Sequence, residues 1–172
     1  AYGALANRYF AFFSVQMAEA ITTSGQLSIQ WAERKINEYL QKVLGDDKDR
    51  VIAIDTDSVY ITLDDLVKQV FPEGTDKEKI INFVDKIAKE TFEPLIEKGY
   101  QELADYVNAY QQKMQMGREV IADKGIWTAK KRYILNVFDN EGVRLAEPKL
   151  KMMGIETAKS STPQWVRGKL TE

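Results

Sequence analysis

One apolar stripe over residues 14–44 constrains the fold more than any other feature of the sequence. Apolar residues recur there at steps of three and four, the spacing of one buried face on a long α-helix. Gly45 at the end of the stripe is typical of helix termination. Gly25 interrupts it, and close packing of a neighbour would explain a glycine that costs about 1 kcal/mol relative to alanine. The stripe comprises Val15, Ala18, Ile21, Gly25, Ile29, Ala32, Ile36, Leu40 and Val43.

A β-hairpin is predicted after this helix. Residues 51–54 are apolar and predict a buried strand, and residues 59–63 predict a return strand. The polar tetrapeptide Asp55-Thr56-Asp57-Ser58 separates the two strands, as a hairpin turn would. Asp64 then predicts the N-cap of a short helix over residues 65–70.

Further helices and a meander follow the hairpin. Thr75 and Glu78 have the spacing of a capping box, and Pro94 is expected to break or kink the helix that it opens. Residues 114–123 and 126–138 predict two strands around a turn at Lys124-Gly125. Residues 143–146 and 149–155 predict further strands. Helices and strands in this order predict an α+β fold, with an antiparallel sheet packed against long helices.

The residue inventory restricts the chemistry of any active site. The 172 residues include no Cys and no His, which excludes disulfides, thiol catalysis, zinc sites built on these ligands and a Ser-His-Asp triad. Lys and Arg total 24 against 26 Asp and Glu, so the net charge of -2 argues against a uniformly basic surface. No segment approaches the ~20 consecutive apolar residues of a membrane-spanning helix. Carboxylates remain, and they suit hard cations such as Mg²⁺.

The predicted hairpin turn carries the strongest catalytic signal. Asp55 and Asp57 are two residues apart, and on extended backbone such residues face the same side, where both could bind a cation. Two metal ions about 3.5–4 Å apart can promote phosphoryl transfer. The competing interpretation is a polar turn without chemistry, because Asp and Thr are common turn residues.

A second candidate is the basic segment Lys130-Lys131-Arg132-Tyr133, placed inside the predicted strand 126–138. Strand alternation would send Lys130 and Arg132 to one face, and Lys131 and Tyr133 to the other. Adjacent cations beside the aromatic Trp127 and Tyr133 could bind nucleic-acid phosphates. The competing interpretation is a solvated edge strand on which lysines prevent aggregation.

Taken in order, these motifs resemble those of B-family DNA polymerases of T-even-like bacteriophages. Tyr2-Gly3 resembles the end of the motif on the fingers helix, and Asp55-Thr56-Asp57-Ser58 resembles the catalytic hairpin of the palm. The basic segment resembles the primer-template contact motif, and the resemblance extends to Gly154-Ile155-Glu156. Ile54 departs from the usual Gly, and Gly117 departs from a usual acidic residue.

The resemblance implies a set of residue roles and partners. Asp57 and Asp55 would be catalytic metal ligands for two Mg²⁺ ions, with Ser58 orienting the turn and Glu119 auxiliary. Tyr2 and Thr56 would line the nucleotide pocket, and primer-template DNA and deoxynucleoside triphosphates would be the partners. The DNA-binding residues would be Lys130, Lys131, Arg132 and Tyr133.

The resemblance also implies a domain assignment and a cellular context. Residues 1–159 would belong to a palm domain, with residues 1–13 the end of the fingers helix and residues 160–172 the start of a truncated thumb. The parent enzyme would bind a sliding clamp and act in the cytoplasm of the host. The isolated segment would be inactive and free of Mg²⁺, since the partner carboxylate of the site would lie upstream.

Two other function classes remain open at this point. A haloacid-dehalogenase-type phosphatase also places Asp-x-Asp after an apolar strand, but its sheet is parallel. A non-catalytic α+β module could bind nucleic acid through residues 130–133 without any metal.

Overall fold

A computed structural model describes residues 2–157 and 159–171, without the side chains of Tyr2, Leu170 and Thr171. The fold is α+β, as predicted, and the described chain divides into two units. The first unit consists of Ala1–Pro72 and Glu90–Met116, and the second consists of Glu73–Lys89 and Gly117–Glu172. Within the described residues no helix combines the length and the apolar character needed to cross a membrane.

In the first unit, two long helices form the core. A 3₁₀ helix, Tyr2–Ala6, precedes α1, Val15–Leu44, which begins at the N-cap Ser14 and ends at Gly45 with φ of 73°. The helix α4, Glu93–Tyr106, packs against α1 and has Pro94 in its first turn. Gly99 permits their close approach, because a Cβ there would lie 3.2 Å from Cγ of Lys35. Their buried hydrophobic side chains are Ile29, Ala32, Ile36, Leu40, Ile96, Tyr100, Leu103 and Ala104.

The apolar stripe of α1 is buried only in its C-terminal half. Val15 is 57% exposed and Ile21 is 42% exposed, whereas Ile36 and Leu40 are buried. The explanation that we gave for Gly25 is wrong for the described residues: apart from its chain neighbours and the backbone of its own helix, none of them places an atom within 4 Å of a Cβ built there. The periodicity therefore identified the face of the helix, but it could not show how much of that face is covered.

A hairpin of two short strands, β1 (Val51–Asp55) and β2 (Ser58–Ile61), contacts α1. The buried strand predicted for residues 51–54 is wrong in one respect, because Ile52 is 50% exposed and none of the four is fully buried. This hairpin is a separate two-stranded sheet, so neither strand lies between two neighbours.

A buried arginine fixes the start of β1. Arg50 is 2% exposed, and its guanidinium donates to the carboxylates of Asp46 and Asp65 at 2.7 and 2.9 Å. Its backbone N–H donates to Oδ1 of Asn37 at 2.9 Å. The hydrogen bond from Arg50 lowers the pKa of Asp46 to about 2, so the pair is fully ionised at neutral pH. Arg50 thereby ties the first strand to α1, to the loop after it and to α2, Asp64–Val70.

The N-caps of the two helices that follow the hairpin each lie one residue from their predicted positions. Leu63, not Asp64, precedes α2, and Asp64 instead forms an ion pair with Lys68 one turn later. In the second unit, α3 (Lys77–Ile87) is capped by Asp76, whose carboxylate accepts from the N–H of Glu78, so Thr75 is not the cap. Thr75 and Asp76 are both residue types that serve as N-caps, so the sequence alone does not decide which of the two caps α3. A π-helical turn, Ala88–Phe92, follows α3 along the chain.

The second unit contains an antiparallel three-stranded meander. Its strands are β3 (Val120–Ala129), β4 (Arg132–Asn140) and β5 (Val143–Met153), and α3 contacts β3. The sequence predicted two strands where β5 is continuous through Pro148, which an edge strand tolerates. The last helix, α5, is Gln164–Thr171. One face of β4 is buried through Tyr133, Leu135, Val137 and Asp139.

A buried charge network joins α3 to the meander. The guanidinium of Arg118 contacts the carboxylates of Asp85 on α3 and Asp139 on β4. Oδ1 of Asp139 also accepts from the N–H of Gly142 at 3.0 Å, which fixes the turn between β4 and β5. Removing one partner of such a buried network would leave an uncompensated charge, so the loss of any one of these residues is expected to be destabilising.

Candidate functional site

The predicted carboxylate hairpin is present, and its turn is tight. Strands β1 and β2 pair antiparallel, with Ile54 opposite Val59 and Asp55 opposite Ser58. Asp55 is therefore the last residue of β1, and Thr56-Asp57 is a two-residue turn. The return strand follows at once, which is the arrangement that the polymerase interpretation requires. The phosphatase interpretation instead needs a parallel sheet.

The turn contains a β-branched residue in the left-handed region. Thr56 has φ of 57°, a conformation that costs roughly 1–2 kcal/mol for a residue with a Cβ. The N–H of Asp57 donates to the carbonyl of Asp55 at 2.7 Å, and Oγ1 of Thr56 donates to Oδ1 of Asp55 at 3.1 Å. The Thr56 hydroxyl thus holds the Asp55 carboxylate. Such strained positions persist where the surrounding structure or function requires them.

The side chains of this turn differ in exposure. Asp55 and Ser58 are half-buried, whereas Thr56 and Asp57 are exposed. Because Thr56 is not extended, the strand alternation that we used for Asp55 and Asp57 does not apply across the turn. The convergence of the two carboxylates on one cation therefore stays a prediction.

The donor set of the turn is compatible with Mg²⁺ but is only part of a site. Both carboxylates are hard oxygen ligands, and Mg²⁺ commonly binds through one or two carboxylates, several waters and substrate phosphates. Among the described residues, no group of three or more His, Cys, Asp or Glu could hold a metal ion. A complete site would need ligands in addition to Asp55 and Asp57.

The basic segment is divided between a turn and a strand, so its predicted place inside one continuous strand is wrong: Lys130 and Lys131 form the turn, and Arg132 and Tyr133 begin β4. Lys130 and Lys131 connect β3 to β4, and Lys131 has φ of 62°. We name Lys130, Lys131 and Arg132 the basic turn. The first two are exposed, and the Arg132 side chain is 41% exposed, so all three cations reach solvent. A turn presents adjacent cations together, whereas a strand would have divided them between two faces.

The expected turn at Lys124-Gly125 lies inside β3, and packing explains the glycine. A Cβ on Gly125 would lie 2.6 Å from the ring of Trp127 and 2.8 Å from Cδ2 of Leu135. Glycine is needed there for close approach, as in other strands that contain it. Tyr133 is 6% exposed, and its ring centroid is 6.3 Å from that of Trp127. Tyr133 therefore belongs to the core beneath the basic turn and is not an exposed stacking platform.

The loop after β5 contacts the basic turn. Gly154 has φ of 65°, and a Cβ there would lie 2.1 Å from the backbone oxygen of Lys131. The carboxylate of Glu156 accepts from Nη2 of Arg132 at 2.6 Å and from Nζ of Lys159 at 3.2 Å. The hydrogen bond from its own backbone N–H, together with Lys159 and Arg132, holds the pKa of Glu156 below its usual range. Sequence reasoning did not predict this pairing, because the residues are 24 positions apart.

The remaining predicted site residues have separate environments. Glu119 forms an ion pair with Lys151 of β5. The side chain of Tyr2 lies outside the described side chains, and its backbone begins the 3₁₀ helix. Thus Asp55, Thr56, Asp57 and Ser58 lie together in the first unit, and Glu119 and the basic segment belong to the second.

The chain is similar to a segment of two phage DNA polymerases. It is 47% identical over 181 residues to a DNA-directed DNA polymerase of Escherichia phage RB69. It is 46% identical over 184 residues to a DNA-directed DNA polymerase of Enterobacteria phage T4. Each match covers 99% of this chain and 20% of the relative, so the chain spans about a fifth of their length. No protein-family model matches the chain. The predicted resemblance to polymerases of T-even-like bacteriophages is confirmed.

Proposed function

We propose that this chain is a segment of a phage DNA-directed DNA polymerase of the B family and supplies part of its palm domain. One observation carries the proposal: a tight antiparallel hairpin presents Asp55 and Asp57 in a chain that matches phage polymerases over 99% of its length. Residues 1–13 would then end the fingers helix, and residues 160–172 would begin the thumb. The parent protein would replicate DNA in the host cytoplasm together with a sliding clamp.

The carboxylate hairpin would bind the catalytic metal ions. When bound, two Mg²⁺ ions would supply Lewis acidity for attack of the primer 3′-hydroxyl on the α-phosphate of a deoxynucleoside triphosphate, with cleavage of the bond to the β-phosphate and release of pyrophosphate. Asp57 is exposed at the turn and would be the main ligand, while Asp55 is half-buried and held by the Thr56 hydroxyl. Ser58 opposite Asp55 would keep the turn in register. Thr56 and Tyr2 would border the nucleotide.

The basic turn would contact the phosphates of the primer-template. Lys130, Lys131 and Arg132 place three cations at one hairpin end, and phosphate contacts of this kind position DNA without reading its sequence. Tyr133 would support the turn from the core through its contact with Trp127. Lys149, Lys151 and Lys159 would extend the track, and Glu119 would act through its pair with Lys151.

The test compares carboxylate variants in the full-length protein that contains this segment. Asp57→Asn is expected to lower nucleotide incorporation on the order of 1,000-fold, because it removes a charged ligand worth several kcal/mol in the transition state. Asp55→Asn is expected to cost less. The matched control is Asp47→Asn, since Asp47 is an exposed carboxylate in the loop between α1 and β1 of the same unit. Equal, mild losses in all three variants would overturn the proposal.

A second measurement separates the polymerase from the two other function classes. The purified 172-residue segment is expected to give no primer extension with Mg²⁺ and all four deoxynucleotides, because the two carboxylates alone are an incomplete ligand set. Extension that disappears in Asp57→Asn would show that the segment carries a complete site. Phosphatase activity that depends on Asp55 would favour the phosphatase class, and DNA binding by a full-length protein without incorporation would favour the non-catalytic module.

A further inference from the structure

The loop after β5 is built to sit against the basic turn. A Cβ on Gly154 would approach the Lys131 backbone oxygen to 2.1 Å, so only glycine fits between the two segments. The positive φ of Gly154 and of Lys131 shows that both backbones adopt special conformations where they meet. This contact brings Glu156, two residues later, to the side chain of Arg132.

Glu156 neutralises cations that the proposed function assigns to DNA. Its Oε1 atom accepts from Arg132 at 2.6 Å and from Lys159 at 3.2 Å, and both donors therefore point at the same oxygen. The side chains of Glu156 and Arg132 are 53% and 41% exposed. A phosphate oxygen arriving from solvent can consequently reach Arg132, but it must compete with the carboxylate.

We propose that Glu156 is a positioning residue. It forms ion pairs with Arg132 and Lys159 in the free protein and releases both cations when a nucleic-acid phosphate binds. The inference rests on the proposed function of the basic turn. Its physical basis is that an exposed ion pair is weak, so a phosphate of the nucleic-acid backbone, a polyanion whose binding releases counterions, can replace the carboxylate. Glu156 then lowers affinity for any polyanion and keeps the arginine pre-arranged beside the turn.

The test measures primer-template affinity of the full-length protein by fluorescence anisotropy at several salt concentrations. Glu156→Gln keeps the size of the side chain and removes its charge. It is expected to tighten binding about threefold at low salt, because Arg132 then no longer has to leave an exposed ion pair before it contacts a phosphate, and exposed pairs are typically worth about that factor. The slope of log affinity against log salt is expected to change by less than about 0.9, because Glu156 releases both cations on binding and the same phosphates are contacted in both proteins.

Two controls show whether the charge of Glu156 is responsible. Glu156→Asp retains the carboxylate and is expected to restore the affinity of the unmodified protein. Glu102→Gln removes the same charge from another surface ion pair, with Lys35 in the first unit, and is expected to leave affinity unchanged. Glu156→Gln that binds DNA no more tightly than Glu102→Gln would overturn the inference.

Arg132→Ala separates this inference from the proposed function. The substitution alone is expected to weaken binding, and in its presence Glu156→Gln is expected to lose most of its effect, because the two residues act on each other. If Arg132→Ala weakens binding but Glu156→Gln does not tighten it, the inference fails and the proposed function stands. If neither substitution changes affinity, the basic turn does not bind DNA, and both fail.

Discussion

Replacing Gly154 by alanine should destabilise the second unit, because the added Cβ would overlap a neighbouring backbone atom. Alanine in the left-handed region costs roughly 1–2 kcal/mol, and Gly154 has φ of 65°. The new Cβ would also lie 2.1 Å from the Lys131 backbone oxygen, well inside van der Waals contact. Neither atom is at the end of a flexible side chain, so a backbone segment must move, at a cost of about 1–3 kcal/mol. The expected loss is therefore about 2–5 kcal/mol.

The matched control is Gly142→Ala in the same unit. Gly142 has φ of 84°, but beyond its two chain neighbours no described residue places an atom within 4 Å of a Cβ built there. This variant therefore measures the backbone term alone, roughly 1–2 kcal/mol. The difference between the two variants isolates the contact between the loop and the basic turn.

The assay is urea unfolding of the purified chain, followed by tryptophan fluorescence. Hydrogen exchange of peptides from β4 and β5 assigns the loss to the meander. Equal free energies of unfolding for Gly154→Ala and Gly142→Ala would refute the reasoning, because they would mean that the loop does not press on the Lys131 carbonyl.

Three other changes test separate parts of the structure. Lys130→Ala with Lys131→Ala in the full-length protein should weaken primer-template binding and flatten its salt dependence by about 0.9 per lost phosphate contact, measured by anisotropy; unchanged affinity at every salt concentration would contradict the assignment. Asp46→Asn should destabilise the chain at neutral pH. Because Arg50 lowers the pKa of Asp46 from 3.8 to about 2, the difference in unfolding free energy from the unmodified protein should persist above about pH 4 and vanish as the pH falls towards 2. A difference that is constant with pH would exclude the ion pair as its cause. Thr56→Asn should raise the free energy of unfolding by about 0.5 kcal/mol, since Asn tolerates positive φ better than Thr; a loss of stability in urea titrations would show that Thr56 is not strained.

Local patterns predicted the elements whose signals lie close together in the sequence. The helix α1 begins after Ser14 and ends at Gly45 as expected, because cap residues and apolar spacing act within a few residues. The hairpin at Asp55 and Asp57 was predicted for the same reason, since its turn and both strands lie within eleven consecutive residues.

The errors occurred where a distant partner decided the outcome. Gly125 resembled a turn residue, but its role depends on Trp127 and on Leu135 in the next strand. The true turn at Lys130 and Lys131 contains neither Gly nor Asn, so no common turn signal marked it. The Arg132–Glu156 pair and the contact at Gly154 depend on the meander register, which single-sequence patterns do not give.

The division of the chain into interleaved segments has a consequence for its synthesis on the ribosome. Each unit is assembled from two separate stretches, and α3 lies in the stretch Glu73–Lys89, ahead of the second half of the first unit. Its partner strand β3 begins at Val120, so α3 leaves the ribosome about 30 residues before the sheet that it contacts. At typical elongation rates of about 5–20 residues per second, the apolar face of α3 stays uncovered by β3 for seconds. No single cut yields either unit as one continuous peptide, and expressing one alone requires a designed linker between its two stretches.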